Sequence, residues 1–260
     1  MRKLLFSSFM VFNLLVLHAQ HSDLYRADVF VYAEGTLPYR IMLPEGFDRQ
    51  AKYPLIFFLH GAGERGSDNE KQLAHGASFF ASAENRANFP AIVVFPQCAE
   101  GDFWANVNFQ FDEDGSRSFS FDPSGELVPS MKLAIKLLES LLENDWVDND
   151  RVYLGGLSMG GMGTFELLYR MPEVFAAAFP ICGGGNPAMI NEAVSNVNVW
   201  AFHGEEDAVV APELSVKMVE AFQKIGVPVK LTLYPGVGHN AWDYVFKEKE
   251  LLPWLFSNQK

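Results

Sequence analysis

Short apolar runs alternate along this chain with longer stretches in which apolar positions recur at helical spacing. Residues 54–60 read Pro-Leu-Ile-Phe-Phe-Leu-His, a near-continuous apolar run of the kind found in strands buried on both faces. Residues 91–96, 152–155, 175–181, 197–202 and 229–233 are similar in length and character. Between them, residues 127–143, 159–170, 212–225 and 242–256 carry the spacing of amphipathic helices. Upstream, residues 29–33 and 37–43 flank Glu34-Gly35-Thr36 and predict an opening β-hairpin. This alternation predicts an α/β fold: one domain with a mostly parallel, eight-stranded sheet and helices on both faces, the hairpin adding antiparallel edge strands. Two stretches break the rhythm. Residues 61–88 carry a charged glycine loop and a short helical segment. Residues 100–125 show no clean periodicity but are rich in aromatics: Phe103, Trp104, Phe109, Phe111, Phe119 and Phe121. Such an insertion is too aromatic for disorder and reads as functional.

Composition agrees with one large domain. The chain has 260 residues, 49% of them hydrophobic, with 23 Phe, and no linker divides it. Its first residues differ from the rest. Arg2 and Lys3 form a basic start, residues 4–17 are mostly apolar, and Leu17-His18-Ala19 approximates a small-residue cleavage site. Residues 1–19 are therefore expected to be a signal peptide and 20–260 the mature catalytic domain, periplasmic or secreted. The apolar run is short for a membrane span, so no membrane insertion is expected once it is removed. The formal net charge is −12, and loss of Arg2 and Lys3 makes it −14. With no basic patch, nucleic acid and anionic membrane surfaces are poor partners.

The most informative chemistry lies in Gly156-Leu157-Ser158-Met159-Gly160, which follows an apolar strand and opens a helical pattern. A serine at the centre of G-x-S-x-G on a strand-to-helix turn is a nucleophile elbow. A hydroxyl needs a base to take its proton and an acid to orient that base. Of six His, His18 and His21 fall in or beside the signal, His75 follows the glycine loop, and His60 and His203 each end a strand before a glycine. His239, in Pro235-Gly236-Val237-Gly238-His239-Asn240, is the one that follows Ser158 with a strand-ending acid between, the Ser–acid–His order of α/β-hydrolases. The acid lies in His203-Gly204-Glu205-Glu206-Asp207. Asp207 is favoured because it precedes the apolar Ala-Val-Val and can be held buried, with Glu205 and Glu206 as alternatives. Oxyanion donors are expected from the Met159 N–H and from His60-Gly61-Ala62-Gly63, with Ala62 preferred and Gly61 next. The Lys-Ser/Thr ending of a phosphate-binding loop is absent there. No metal or organic cofactor is required for this chemistry.

His60-Gly-Ala-Gly-Glu-Arg-Gly, Pro96-Gln97-Cys98, Gly156-Leu-Ser-Met-Gly-Gly, Ile181-Cys-Gly-Gly-Gly and Gly238-His239-Asn-Ala-Trp, taken together, resemble the secreted α/β-hydrolases of the phospholipase/carboxylesterase group. That group includes feruloyl and acetyl-xylan esterases and polyhydroxyalkanoate depolymerases. The resemblance implies sheet order 1-2-4-3-5-6-7-8 and hydrolysis of a small-molecule or polysaccharide-linked carboxylic ester. Dienelactone hydrolases proper place a cysteine where this chain has Ser158. In the implied order two strands separate Cys98 from Cys182, which disfavours a bridge between them. Trp104, Gln97 and Trp242 are candidates for lining the substrate pocket, since they lie near the expected oxyanion loop and base; each also reads as simple core. Glu64 and Arg65 are expected to pair and shape the oxyanion loop, while Met162 and Phe165 read as helix core. Aromatic surfaces suit sugar rings or a phenolic acyl group. Two rivals to an esterase are a peptidase of the prolyl-oligopeptidase type, although this chain has no room for the propeller those usually carry, and a non-catalytic carbohydrate-binding module.

Overall fold

A computed structural model describes residues 22–260 except 112, 114–116 and 123–125. The expected signal peptide, with His18 and His21, lies outside the described residues. Ten strands are described: β1 (Arg26–Tyr32), β2 (Gly35–Met42), β3 (Tyr53–Leu59), β4 (Ile92–Pro96), β5 (Val107–Phe111), β6 (Arg117–Phe121), β7 (Val147–Leu157), β8 (Ala177–Ile181), β9 (Asn198–Gly204) and β10 (Val229–Tyr234). Eight form one sheet in the order β1-β2-β4-β3-β7-β8-β9-β10, the order the resemblance implies. The β1–β2 and β2–β4 pairs are antiparallel and the others parallel.

Alternation along β3 shows why its apolar run is unbroken. Leu55, Phe57 and Leu59 enter a core on one sheet face, built with the helices Pro129–Leu142, Met159–Arg170 and Pro212–Lys224. Ile56 and Phe58 enter a second core on the other, with the helices Ala77–Ala81, Trp242–Val245 and Leu251–Phe256. Both faces are covered, so neither side of the strand tolerates a polar residue. Because β3, β7, β8, β9 and β10 run parallel, their carboxyl ends lie at one edge, where α/β sheets place their ligands.

Three expectations need correction. The helix expected over 242–256 is two short helices. A continuous helix would hold Pro253 in its interior, without an N–H for the ladder and with its ring against a carbonyl one turn back; the break after Val245 puts Pro253 in a first turn instead. Strand β7 starts at Val147 rather than 152, its polar Asp148-Asn149-Asp150 reaching past the buried part of the sheet. The insertion at 100–125 does have a period. β5 and β6 pair antiparallel with Val107 opposite Phe121, Phe109 opposite Phe119 and Phe111 opposite Arg117, so the aromatics share one face. Asn108, Gln110, Ser118 and Ser120 take the other face.

Candidate active site

The elbow is tight for a steric reason. Ser158 has φ 53° and ψ −116°, a left-handed backbone that costs a non-glycine residue of order 1–3 kcal/mol. The neighbouring turns close against it. A Cβ on Gly156 would stand 2.3 Å from Gly160 O, and one on Gly160 would stand 2.0 Å from Leu59 O. Only glycine lets β3, the turn and the helix approach this closely. The strain is held by Ser158 N–H donating to Ile181 O (2.8 Å) and Met162 N–H donating to Ser158 O (3.0 Å).

The expected base and acid meet this serine. His239 Nε2 lies 2.8 Å from Ser158 Oγ, and its Nδ1 lies 2.7 Å from Asp207 Oδ2. Asp207 is buried, whereas Glu205 and Glu206 are exposed. Its Oδ1 accepts from Val209 N–H (2.8 Å) and Val210 N–H (2.9 Å), as its place before the Ala-Val-Val turn anticipates. Burial alone would raise the Asp207 carboxyl. Hydrogen bonds from His203, His239 and Val210 outweigh that and hold it well below the usual carboxylate range. The acid is therefore ionised and fixed beside the imidazole.

Ala62 and Met159 both line the cleft at Ser158. Each opens a helical turn, Ala62–Glu64 and Met159–Arg170, so its N–H has no intrahelical acceptor and faces outward. Gly61 instead caps the first of these turns, and its carbonyl takes the His60 ring and the Glu64 N–H. Of the two candidates, Ala62 lines the cleft and Gly61 does not.

The pocket expectations fare unevenly. Trp104 is fully buried; its Nε1–H donates to His60 O (3.1 Å) and its ring meets His60 edge-on at 5.3 Å. Gln97 is also fully buried: its amide donates to Glu64 O and Asp68 Oδ1, and its carbonyl accepts from Asn69 N–H. Both brace the loop at residues 60–69 through these bonds, and neither lines the cleft. Trp242 stands edge-on to His239 at 5.3 Å and also touches His75, packing against the base. Glu64 and Arg65 do not pair. Glu64 approaches His75 at 3.8 Å; Arg65 donates to Ala62 O and Asp102 O and stacks on Phe103. Met162 does line the cleft, contrary to its reading as helix core, while Phe165 is buried as expected.

The cleft itself holds about 370 Å³. Phe103 and the hairpin's Phe109, Phe111 and Phe119 form one wall, with Ser158 and Met159 in the floor. Sequence reasoning did not place Phe109, Phe111 and Phe119 here, although their spacing of two was the signal. It also passed over His203, which is fully buried four residues before Asp207; its Nε2 lies 3.2 Å from Asp207 Oδ2. Cys182, His203 and Asp207 place donor atoms within 4.8 Å of one another, a set that would suit a metal by composition. Asp207 and His203 already spend their atoms on the hydrogen bonds above and on Ser215 and Val210. Cys98 and Cys182 are buried and free, and burial pushes each thiol up to about 12.

The sequence profile of the phospholipase/carboxylesterase family matches residues 47–249. The chain belongs to that family. It is 27% identical over 195 residues to acyl-protein thioesterase 1 of Debaryomyces hansenii, spanning 72% of this chain and 84% of that protein. It is 25% identical to poly(3-hydroxyalkanoate) depolymerase C of Paucimonas lemoignei, over 72% of this chain and 49% of the depolymerase. Among solved structures it is similar to a thermostable esterase, with TM-score 0.81 and 33% identity, covering 93% of this chain and 64% of the esterase. A feruloyl esterase module of Clostridium thermocellum shares the fold, with TM-score 0.63 and 18% identity over 89% of this chain and 87% of the module. With these family members the chain is a serine hydrolase of the carboxylesterase and thioesterase type.

Proposed function

We propose that the protein is an exported serine esterase whose substrates are esters carrying an aromatic, phenolic or sugar-linked group. The observation that carries this reading is a nucleophile-type serine in the floor of a cleft walled by four phenylalanines. The cleft's volume suits an aryl ring with its linker. His239 takes the Ser158 proton as Oγ attacks the ester carbonyl, and Asp207 stabilises the resulting imidazolium. The N–H groups of Met159 and Ala62 receive the oxyanion. His239 then protonates the departing alcohol, and water, activated by the same base, releases the acyl group from Ser158. A probable feruloyl esterase C of Aspergillus terreus, 26% identical over 184 residues, supports the phenolic direction. The basic and apolar first residues support export.

The test is covalent labelling by a fluorophosphonate together with turnover on feruloylated, acetylated, short aliphatic and peptide-amide substrates. Labelling is expected in the native protein and lost in Ser158→Ala, with feruloyl or other aryl esters turned over best. Preference for peptide amides would replace the esterase with a peptidase, and an unlabelled native protein that binds glycan would make it a binding module. Export predicts a secreted form whose first residue is Gln20, read by intact mass.

A further inference from the structure

The hydrogen-bond arithmetic behind the triad points to one more participant. His203 ends β9 with its ring fully buried. Its Nε2 faces two oxygens, Val210 O at 2.9 Å and Asp207 Oδ2 at 3.2 Å. A carbonyl and an ionised carboxylate are acceptors only, so the hydrogen among these three atoms belongs to Nε2. The other ring nitrogen meets Ser215 Oγ at 2.8 Å, and that oxygen lies 2.8 Å from Gly183 O. Whichever way the Ser215 hydroxyl turns, the Nε2 hydrogen stays. Val210 O takes the nearer share of that hydrogen, and Asp207 Oδ2 is faced by two imidazole N–H groups, His239 at 2.7 Å and His203 at 3.2 Å.

We propose that His203 is a positioning residue for the reaction: its Nε2–H shares Asp207 Oδ2 with His239, and so sets how strongly the acid holds the protonated base. The inference rests on the triad reading above. Two further observations favour it over a purely structural role. His203 is tethered at its far nitrogen by Ser215, on the helix Pro212–Lys224, so its ring cannot swing away from Asp207. The other charged groups nearby are few. From β8 the Cys182 thiol faces the pair, and from the β10 loop His239 does. Glu205 and Glu206 on the same loop, and Glu213, Lys217 and Glu220 on the helix, are exposed. The Oδ2 end of Asp207 therefore faces two histidines, while Oδ1 is held by the Val209 and Val210 N–H groups.

The consequence has a definite sign. Without the His203 donor, the Oδ2 charge acts on His239 alone and stabilises its protonated form more strongly. A higher pH is then needed to supply the neutral base, and the acid limb of kcat/KM moves up. The experiment measures kcat/KM for 4-nitrophenyl acetate against pH in the wild type and three variants. His203→Asn places its amide where Nδ1 was, keeping Ser215 but not reaching Asp207. His203→Leu removes the donor outright and keeps the test alive should the Asn variant be unstable. His203→Gln carries an N–H to the Nε2 position. The Asn and Leu variants are expected to shift the acid limb upward by about half a pH unit, which lowers kcat/KM by up to about threefold on that limb. His203→Gln is expected to restore the wild-type limb. A limb that stays put in Asn and Leu, or that moves equally in Gln, would overturn the proposal. Fluorophosphonate labelling of each variant separates the two readings: an unlabelled wild type sinks the esterase, while labelled variants with an unmoved limb sink only the role of His203.

Discussion

His60 should make the whole fold acid-sensitive over a window set by its own titration. It ends the run that forms β3, only 2% exposed. Its Nδ1–H donates to Gly61 O (2.6 Å) and its Nε2 accepts from Cys98 N–H (2.9 Å), so the neutral ring is bonded at both nitrogens. A second ring proton would displace the Cys98 N–H. Burial, the largest influence, lowers its pKa from 6.5 to about 4. Because the folded value lies below the unfolded one, the unfolded chain takes up the proton first as pH falls. The stability contribution is complete above about pH 6.5 and is lost progressively down to about pH 4. At about 1.36 kcal/mol per unit, the shift amounts to roughly 3 kcal/mol in full and about 2.5 kcal/mol by pH 4.5. Urea unfolding of the wild type and His60→Asn across pH 8 to 4.5 isolates the term, since other titrations cancel between them. The Asn amide keeps a donor toward Gly61 O but leaves the Cys98 N–H unpaired, so the variant should start about 1–3 kcal/mol less stable at pH 8. The gap should close or reverse by pH 4.5, because only the wild type loses the His60 term. A gap that stays constant across this range would refute the assignment of His60 as a neutral, doubly bonded ring.

Two further outcomes follow from the same structure. Cys98 and Cys182, buried with thiols near 12, should leave a disulfide reagent unconsumed at pH 8 in the native state and react in full once unfolded; rapid native reaction of either would contradict their placement. Phe109, 49% exposed on the hairpin, should change unfolding free energy by less than about 1 kcal/mol when replaced by Ala, yet raise KM for aryl esters several-fold. An unchanged KM would remove the hairpin from the substrate wall.

How much of this was legible in the sequence depended on whether the signal was local. The elbow was legible because Gly156 and Gly160 stand where any Cβ would strike backbone, so sequence and sterics carry the same information. Asp207 was separable from Glu205 and Glu206 because the apolar Ala-Val-Val after it fixes which carboxylate is buried. The roles of Trp104 and Gln97 were not separable in this way. Both follow β4, close to the oxyanion loop in space, but nothing local says whether a side chain points into the cleft or under the loop. That depends on the path of β5 and β6, whose alternation was hidden by its brevity and by the aromatic crowding around it.

His203 shows the remaining limit most clearly. A histidine before a glycine at a strand end looks the same whether it braces a turn or serves an acid. Its meaning comes from three residues brought together by separate elements: Asp207 from its own loop, Ser215 from the following helix and Gly183 from the end of β8. The turn and helix after β9 supply the first two, and only the pairing of β9 with β8 supplies the third. The triad could be read from chain order because its members are defined by chemistry that few other residues share. Its supporting residues are drawn from ordinary types, and they become recognisable when each buried nitrogen and oxygen is asked where its hydrogen lies.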